Sequence, residues 1–297
     1  NEFHRTRGLS LISALLDRCL LVRPRWLPLV LLVPVLYGLG WLIASALIPL
    51  GIPNSSVSLI GTLVSFSLFL VVMPRWVQRR WQRKQCWIAL GILPSRNQAW
   101  KVPVVALWRG LLMALGLLGI LVIPILLSGW GTWRGDWTLT TAMNALSLCL
   151  GVGIAEEIIF RAWLWTELQH LTSRFGAVVG QALVFSVVHT RFNLVVMPML
   201  GLLTGLFLLG MTLAIQRNHD QGSLWGCVGM HGGLVGGWFL LTQGLLDLSE
   251  APAFLVGYPT AQPNPLSGLI AITALGLLLI WQWPSVQRMS QPERWGS

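Results

Sequence analysis

The sequence predicts an all-α polytopic membrane protein of about eight transmembrane helices, with both termini on the cytoplasmic side. Three observations carry that expectation. Of 297 residues, 55% are hydrophobic and 10% charged, against about 25% charged in soluble globular chains. From Leu27 to Pro74 there is no Asp, Glu, Lys, Arg or His in 48 residues, enough for two helices of about 20 residues across a ~30 Å hydrocarbon core. With the N-terminus set inside, Lys and Arg divide 17 to 2 between alternate loops, the asymmetry that orients membrane helices.

Taken in order, segment 10–22 reads as an amphipathic helix lying at the interface. Spans one and two are 27–50 and 57–73, parted by the Pro-Gly turn near Gly51. A basic loop from Arg75 to Arg109 then leads into the third span, 110–128. The fourth, 139–168, is too long for a simple crossing, so part of it should leave the hydrocarbon. Spans five and six, 175–192 and 194–215, share a tight turn at Arg191 to Asn193. The seventh is 223–246 and the eighth 266–283. By organisation this gives an N-terminal membrane region, 1–138, a core of four spans, 139–246, and a final span with tail, 247–297. Asp17 and Arg18 interrupt the N-terminal apolar stretch and no small-residue cleavage site follows, so no removable signal peptide is expected.

The net charge of +10 does not point to nucleic acid, because the basic residues flank spans. Cys19, Cys86, Cys149 and Cys227 are scattered, without the paired spacing of a disulfide framework or thiolate metal site. Many of the 17 tryptophans fall at predicted interfaces, where an amphipathic indole belongs.

Chemistry is indicated by ionisable groups inside spans, where a charge costs ~2.5–3.5 kcal/mol on insertion scales and marks function by default. Glu156 and Glu157 sit in GVGIAEEIIFRAW, 151–163. Glu157 and Arg161 are four apart with Glu N-terminal, the favourable polarity of a helical ion pair. Glu156 points about 100° away, towards Val152, Gly153, Phe160 and Trp163, and has no partner on its own helix. An intramembrane carboxylate in that position suits proton transfer.

His189, in ALVFSVVHTRFN, shares a predicted face with Phe185, Ser186 and Asn193. His231 lies in GCVGMHGGLVGGWF. Glu156, His189 and His231 stand 11, 15 and 14 residues from Glu167, Arg174 and Arg217 at the same flank, roughly 16–23 Å along each helix. Three spans therefore bring one acid and two imidazoles to similar depth. Gly222, Gly226, Gly229, Gly233, Gly236 and Gly237 form a predicted small-residue ridge for close packing, with His231 on the opposite side beside Cys227, Leu234, Val235 and Trp238.

These residues resemble the CAAX protease and bacteriocin-processing family (CPBP, also called Abi), intramembrane proteases that include the type II prenyl-CAAX protease. The pattern EExxxR is met by Glu156, Glu157 and Arg161, FxxxH by Phe185 and His189, and the later histidine by His231. The motif-bearing likeness covers about 139–246. It implies a catalytic set of Glu156, Glu157, Arg161, His189 and His231. Glu156 and His189 would activate water, Glu157 and Arg161 would support them or meet a substrate carboxylate, and His231 would steady the oxyanion. Phe185 and Asn193 would stand behind that set. At Val235 many members carry asparagine, so one hydrogen-bond donor is missing here.

The function expected is an intramembrane endopeptidase acting on a membrane-associated protein or peptide, with the lipid bilayer as its other partner and no nucleic acid. The alternatives are a catalytically weak or inactive scaffold, immunity or assembly factor on the same fold, and a proton-coupled transporter. Transport is disfavoured by the lack of an internal repeat. One Glu and two His match the ligand number and type of a catalytic Zn²⁺ site, although no HExxH occurs, so zinc stays open as a cofactor.

Overall fold

The structure is a computed structural model that describes residues 14–95, 99–257 and 264–284. Residues 10–13 of the expected interfacial helix, Arg96, Arg288, Arg294 and both termini lie outside the described residues.

Five helical segments are long and apolar enough to cross a membrane, Trp26–Leu50, Asn54–Arg80, Lys101–Leu127, Leu139–Gln169 and Val196–His219. The chain is thus an all-α, multi-pass integral membrane protein. The other three expected spans form shorter helices of 15, 16 and 13 residues, at Arg174–Val188, Trp225–Leu240 and Leu269–Trp281. Irregular or wide turns take up the remaining length of those apolar runs.

The chain divides into two compact units, 1–89 and 90–297. The first holds α1 (14–20), α2 (Trp26–Ala46), α3 (Val57–Arg80) and α4 (Cys86–Ala89). Helices α2 and α3 meet where Gly40 lies against the Gly61 carbonyl and Ser65. The expected end of the second span at Met73 is passed by seven residues, with Pro74 inside the helix. That extension presents Arg75 and Arg79 to Asp17 at 2.6 and 2.5 Å. The hydrogen bond from Arg75, with that from Arg79, holds the Asp17 carboxyl below its ordinary range. Buried Arg80 donates to the Leu20 and Arg25 carbonyls, both at 2.8 Å.

The second unit begins with α5 (Lys101–Leu127) and a two-residue strand β1 (Thr132–Trp133). Helix α6 (Leu139–Glu157) runs into a π-helical turn, Ile158–Leu164, and then α7 (Trp165–Gln169). The expected long fourth span is therefore one 31-residue rod with a wide turn inside it. Helices α8 (Arg174–Val188), α9 (Val196–His219) and α10 (Trp225–Leu240) follow. A second π turn, Leu241–Leu245, leads to β2 (Leu246–Asp247), α11 (Ala253–Val256) and α12 (Leu269–Trp281). Strand β2 pairs antiparallel with β1, Thr132 opposite Asp247, and Arg134 forms an ion pair with Asp247.

Helix α10 is gripped on two sides. Gly229 and Gly233 face α5, where a Cβ on Gly233 would stand 2.8 Å from that of Ala114. Gly110 of α5 in turn abuts the Gly226 carbonyl. Gly232 and Gly236 face α6, where they lie against the Cys149 and Ala145 carbonyls. The single ridge expected from the sequence is thus two stripes for two neighbours. Gly232 belongs to the second stripe, and Gly222 lies outside the helix in a left-handed turn with φ of 86°. This packing places α5 in the same compact unit as α6 and α10.

Candidate active site

Helix α6 delivers the acids, the C-cap of α8 one histidine and α10 the other. Glu157 is fully buried and its Oε1 lies 2.8 Å from Nη1 of Arg161, the i,i+4 pair read from the sequence. The same Oε1 lies 2.7 Å from Nδ1 of His231. Arg161 is also fully buried, with its guanidinium 4.0 Å from the ring centre of Phe185. Its main-chain carbonyl accepts a hydrogen bond from Arg217 at the end of α9. Arg217 also donates to the Gly222 carbonyl at 3.2 Å and the Leu90 carbonyl at 3.4 Å. One guanidinium thus ties the π turn to two loop segments.

Glu156 faces the other way. Its Oε2 lies 3.5 Å from Nε2 of His189 and 3.8 Å from Nε2 of His231. A main-chain carbonyl only accepts, so the 2.6 Å contact from His189 Nδ1 to the Phe185 carbonyl fixes a proton on Nδ1. By the same reasoning, ionised Glu157 fixes a proton on Nδ1 of His231. Both Nε2 atoms are thereby left to face Glu156. Phe185 forms the wall behind them, with its ring 4.7 Å from His189, 5.7 Å from His231 and 5.1 Å from Phe160, between centres.

Glu156, His189 and His231 line a cavity of about 290 Å³ whose walls are mostly apolar, with leucine the commonest residue and Val235 among them. Asn193 does not line it. Helix α8 stops at Val188, so the helical face that would align Asn193 with His189 ends first, and Asn193 is exposed in the following loop. Polar lining instead comes from Arg191, Thr242, Gln243 and Asn264, residues the sequence did not single out. Thr242 and Gln243 sit on the second π turn, a geometry with no signature in residue spacing.

A carboxylate and two imidazoles are zinc-type donors, but among the described residues no three His, Cys, Asp or Glu side chains come together in a way that would hold a metal ion. The chemistry available from the chain itself is proton exchange at Glu156 Oε2, flanked by two imidazole nitrogens on the floor of an apolar pocket.

Residues 8–85 match a domain of unknown function, DUF8676. Residues 137–236 match the family described as type II CAAX prenyl endopeptidase Rce1-like. No curated protein and no solved structure gives a match. The second match begins just before α6 and runs through Glu156, Glu157, Arg161, His189 and His231 into α10, so the segment that carries the site is similar to the type II CAAX prenyl endopeptidase family.

Proposed function

We propose that the protein is an intramembrane endopeptidase that hydrolyses a peptide bond in a membrane-associated protein or peptide. The observation that carries this reading is the approach of two imidazole Nε2 atoms, at 3.5 and 3.8 Å, to one carboxylate oxygen at a cavity floor. Glu156 accepts a proton from the attacking water. His189, held by the Phe185 carbonyl, orients that water. His231, held through Nδ1 by Glu157, presents Nε2 to the carbonyl oxygen as charge develops there, and donates when protonated. The proton taken by Glu156 passes to the leaving amine, so the carboxylate is regenerated each cycle. Arg161 neutralises Glu157 and does not reach the cavity. The eight-span topology with both termini cytoplasmic belongs to the same proposal, supported by the 17 to 2 division of Lys and Arg.

The test is cleavage of a library of membrane-tail peptides by purified protein and by Glu156→Gln, with and without a chelator. Cleavage that disappears in the variant is the expected result. Cleavage unchanged in the variant, or none by folded wild-type protein, overturns the reading.

A further inference from the structure

The cavity over Glu156 extends towards one end of the second compact unit and is closed at the other. Among the described residues, its lining on α6 runs from Leu148 to Glu156 and stops there. On α10 it begins at His231, passes Val235 and Trp238, and continues through Thr242 and Gln243 of the π turn. Helices α6 and α10 are antiparallel, with Gly232 against Cys149 and Gly236 against Ala145, so both walls rise from the floor in one direction. Along α8 and its C-cap the lining likewise runs outwards, from Phe185 to His189. The segment that precedes α12, with Asn264 and Leu266, completes the wall at that end. There too β1 pairs with β2, and Gly244 lies against the Asp136 carbonyl.

Beneath the floor the packing is unbroken. Every residue of Arg161 to Trp165, of Leu209 to Arg217 and of Gly226 to Gly232 is buried. The Glu157–Arg161 pair and the hydrogen bond from Arg217 to the Arg161 carbonyl lie within that seal. At the other end Thr242, Gln243 and Asn264 form a polar rim, with exposed Arg191 in the loop beside it. A polar rim suits solvent, since polar groups turned towards hydrocarbon are costly. This end is also the one poor in charge. Its loops hold Arg134 and Arg191, against 17 Lys and Arg on the opposite side, which makes it the noncytoplasmic end by the asymmetry that orients membrane helices. We infer that water and polypeptide enter this cavity from the noncytoplasmic face, so that the substrate is a segment presented on that side of the membrane.

The inference rests on the endopeptidase reading for its chemistry, but access is measured separately from turnover. The test is sided thiol modification of the full chain in sealed right-side-out and inverted membrane vesicles. Val235→Cys places a thiol four residues from His231 on the cavity wall, Gln243→Cys one at the rim, and Thr172→Cys one in the exposed turn between α7 and α8, at the closed end. Each is treated with an anionic, membrane-impermeant methanethiosulfonate, and the reaction is read at the new cysteine by mass spectrometry. Val235→Cys and Gln243→Cys are expected to react faster by about tenfold or more in right-side-out vesicles, and Thr172→Cys in inverted ones, because a charged reagent does not cross hydrocarbon. Gln243→Cys stands outside the packed wall and carries the test if Val235→Cys does not fold. Reaction at the cavity thiols that is faster in inverted vesicles, equal in both or absent from both overturns the inference. The same vesicles are then given membrane-tail peptides bearing a charged tag that cannot cross. Cleavage confined to right-side-out vesicles is expected. Cleavage confined to inverted vesicles overturns the inference and keeps the endopeptidase reading. Sided modification with no cleavage in either sustains the inference and removes that reading.

Discussion

Nδ1 of His231 lies 2.7 Å from Oε1 of Glu157, so the histidine of α10 is held by the acid on α6 that does not face the cavity. The two neighbouring carboxylates thereby take different tasks, Glu157 inside the fold and Glu156 at its internal surface. Replacing each by glutamine separates them. Glu157→Gln leaves Arg161 as an uncompensated buried charge, an effect of about 3–5 kcal/mol, and is expected to lower the unfolding temperature in detergent sharply. Glu156→Gln is expected to leave that temperature nearly unchanged.

For turnover the order reverses. On the proposed mechanism, Glu156→Gln is expected to slow cleavage by about 10²–10⁴-fold through loss of a general base, read as initial rates on any peptide that wild type cleaves. A smaller loss, with rates restored at high pH, would assign proton transfer to another group.

The packing of α10 gives a paired prediction. Gly232→Ala drives a methyl group into the Cys149 carbonyl, whereas Gly116→Ala meets nothing within 4 Å. The first is expected to destabilise by about 1–3 kcal/mol. The second should be neutral or slightly stabilising through helix propensity. Thermal unfolding of both variants is the measurement.

Arg217→Gln removes the donor to the Arg161, Gly222 and Leu90 carbonyls. Of these acceptors the Arg161 and Leu90 carbonyls are buried, and a buried acceptor left unpaired costs about 1–3 kcal/mol. Faster amide hydrogen exchange confined to 158–164 and the flanking loops is expected. Exchange raised uniformly along the chain would show a role in global stability instead.

The clasp between β1 and β2 should respond to acid. Hydrogen bonds from Ser249 and then the Arg134 ion pair hold the Asp247 carboxyl below its usual range. A depressed carboxylate contributes stability above its unfolded-state value, about 3.9, and loses it as pH falls through its folded value. Amides of 132–135 are expected to exchange faster as pH drops below about 4, after correction for intrinsic rates. In Asp247→Asn that dependence should be absent.

What the sequence revealed follows from which interactions are local. The Glu157–Arg161 pair and the isolation of Glu156 are consequences of 3.6-residue periodicity, and both are present. Similar depth in three spans was likewise enough to expect Glu156, His189 and His231 to meet. The periodicity misleads where a helix stops or widens. Asn193 loses its expected face because α8 ends at Val188, and Thr242 and Gln243 reach the cavity from a π turn. Span lengths were overestimated at α8, α10 and α12 because hydropathy registers apolar chain whether or not it is helical.

The two glycine stripes of α10 bear on who must move during a reaction. With glycines set directly against the main chain of α5 and of α6, this helix has little room to slide or roll. The spacing between Glu156 and His231 is therefore a property of the scaffold. On the endopeptidase reading proposed above, adaptation falls to the incoming polypeptide, whose own helix hydrogen bonds must open before a peptide bond can reach the cavity. That reading predicts that frayed tails and segments broken by proline or glycine are cleaved in preference to an intact hydrophobic helix.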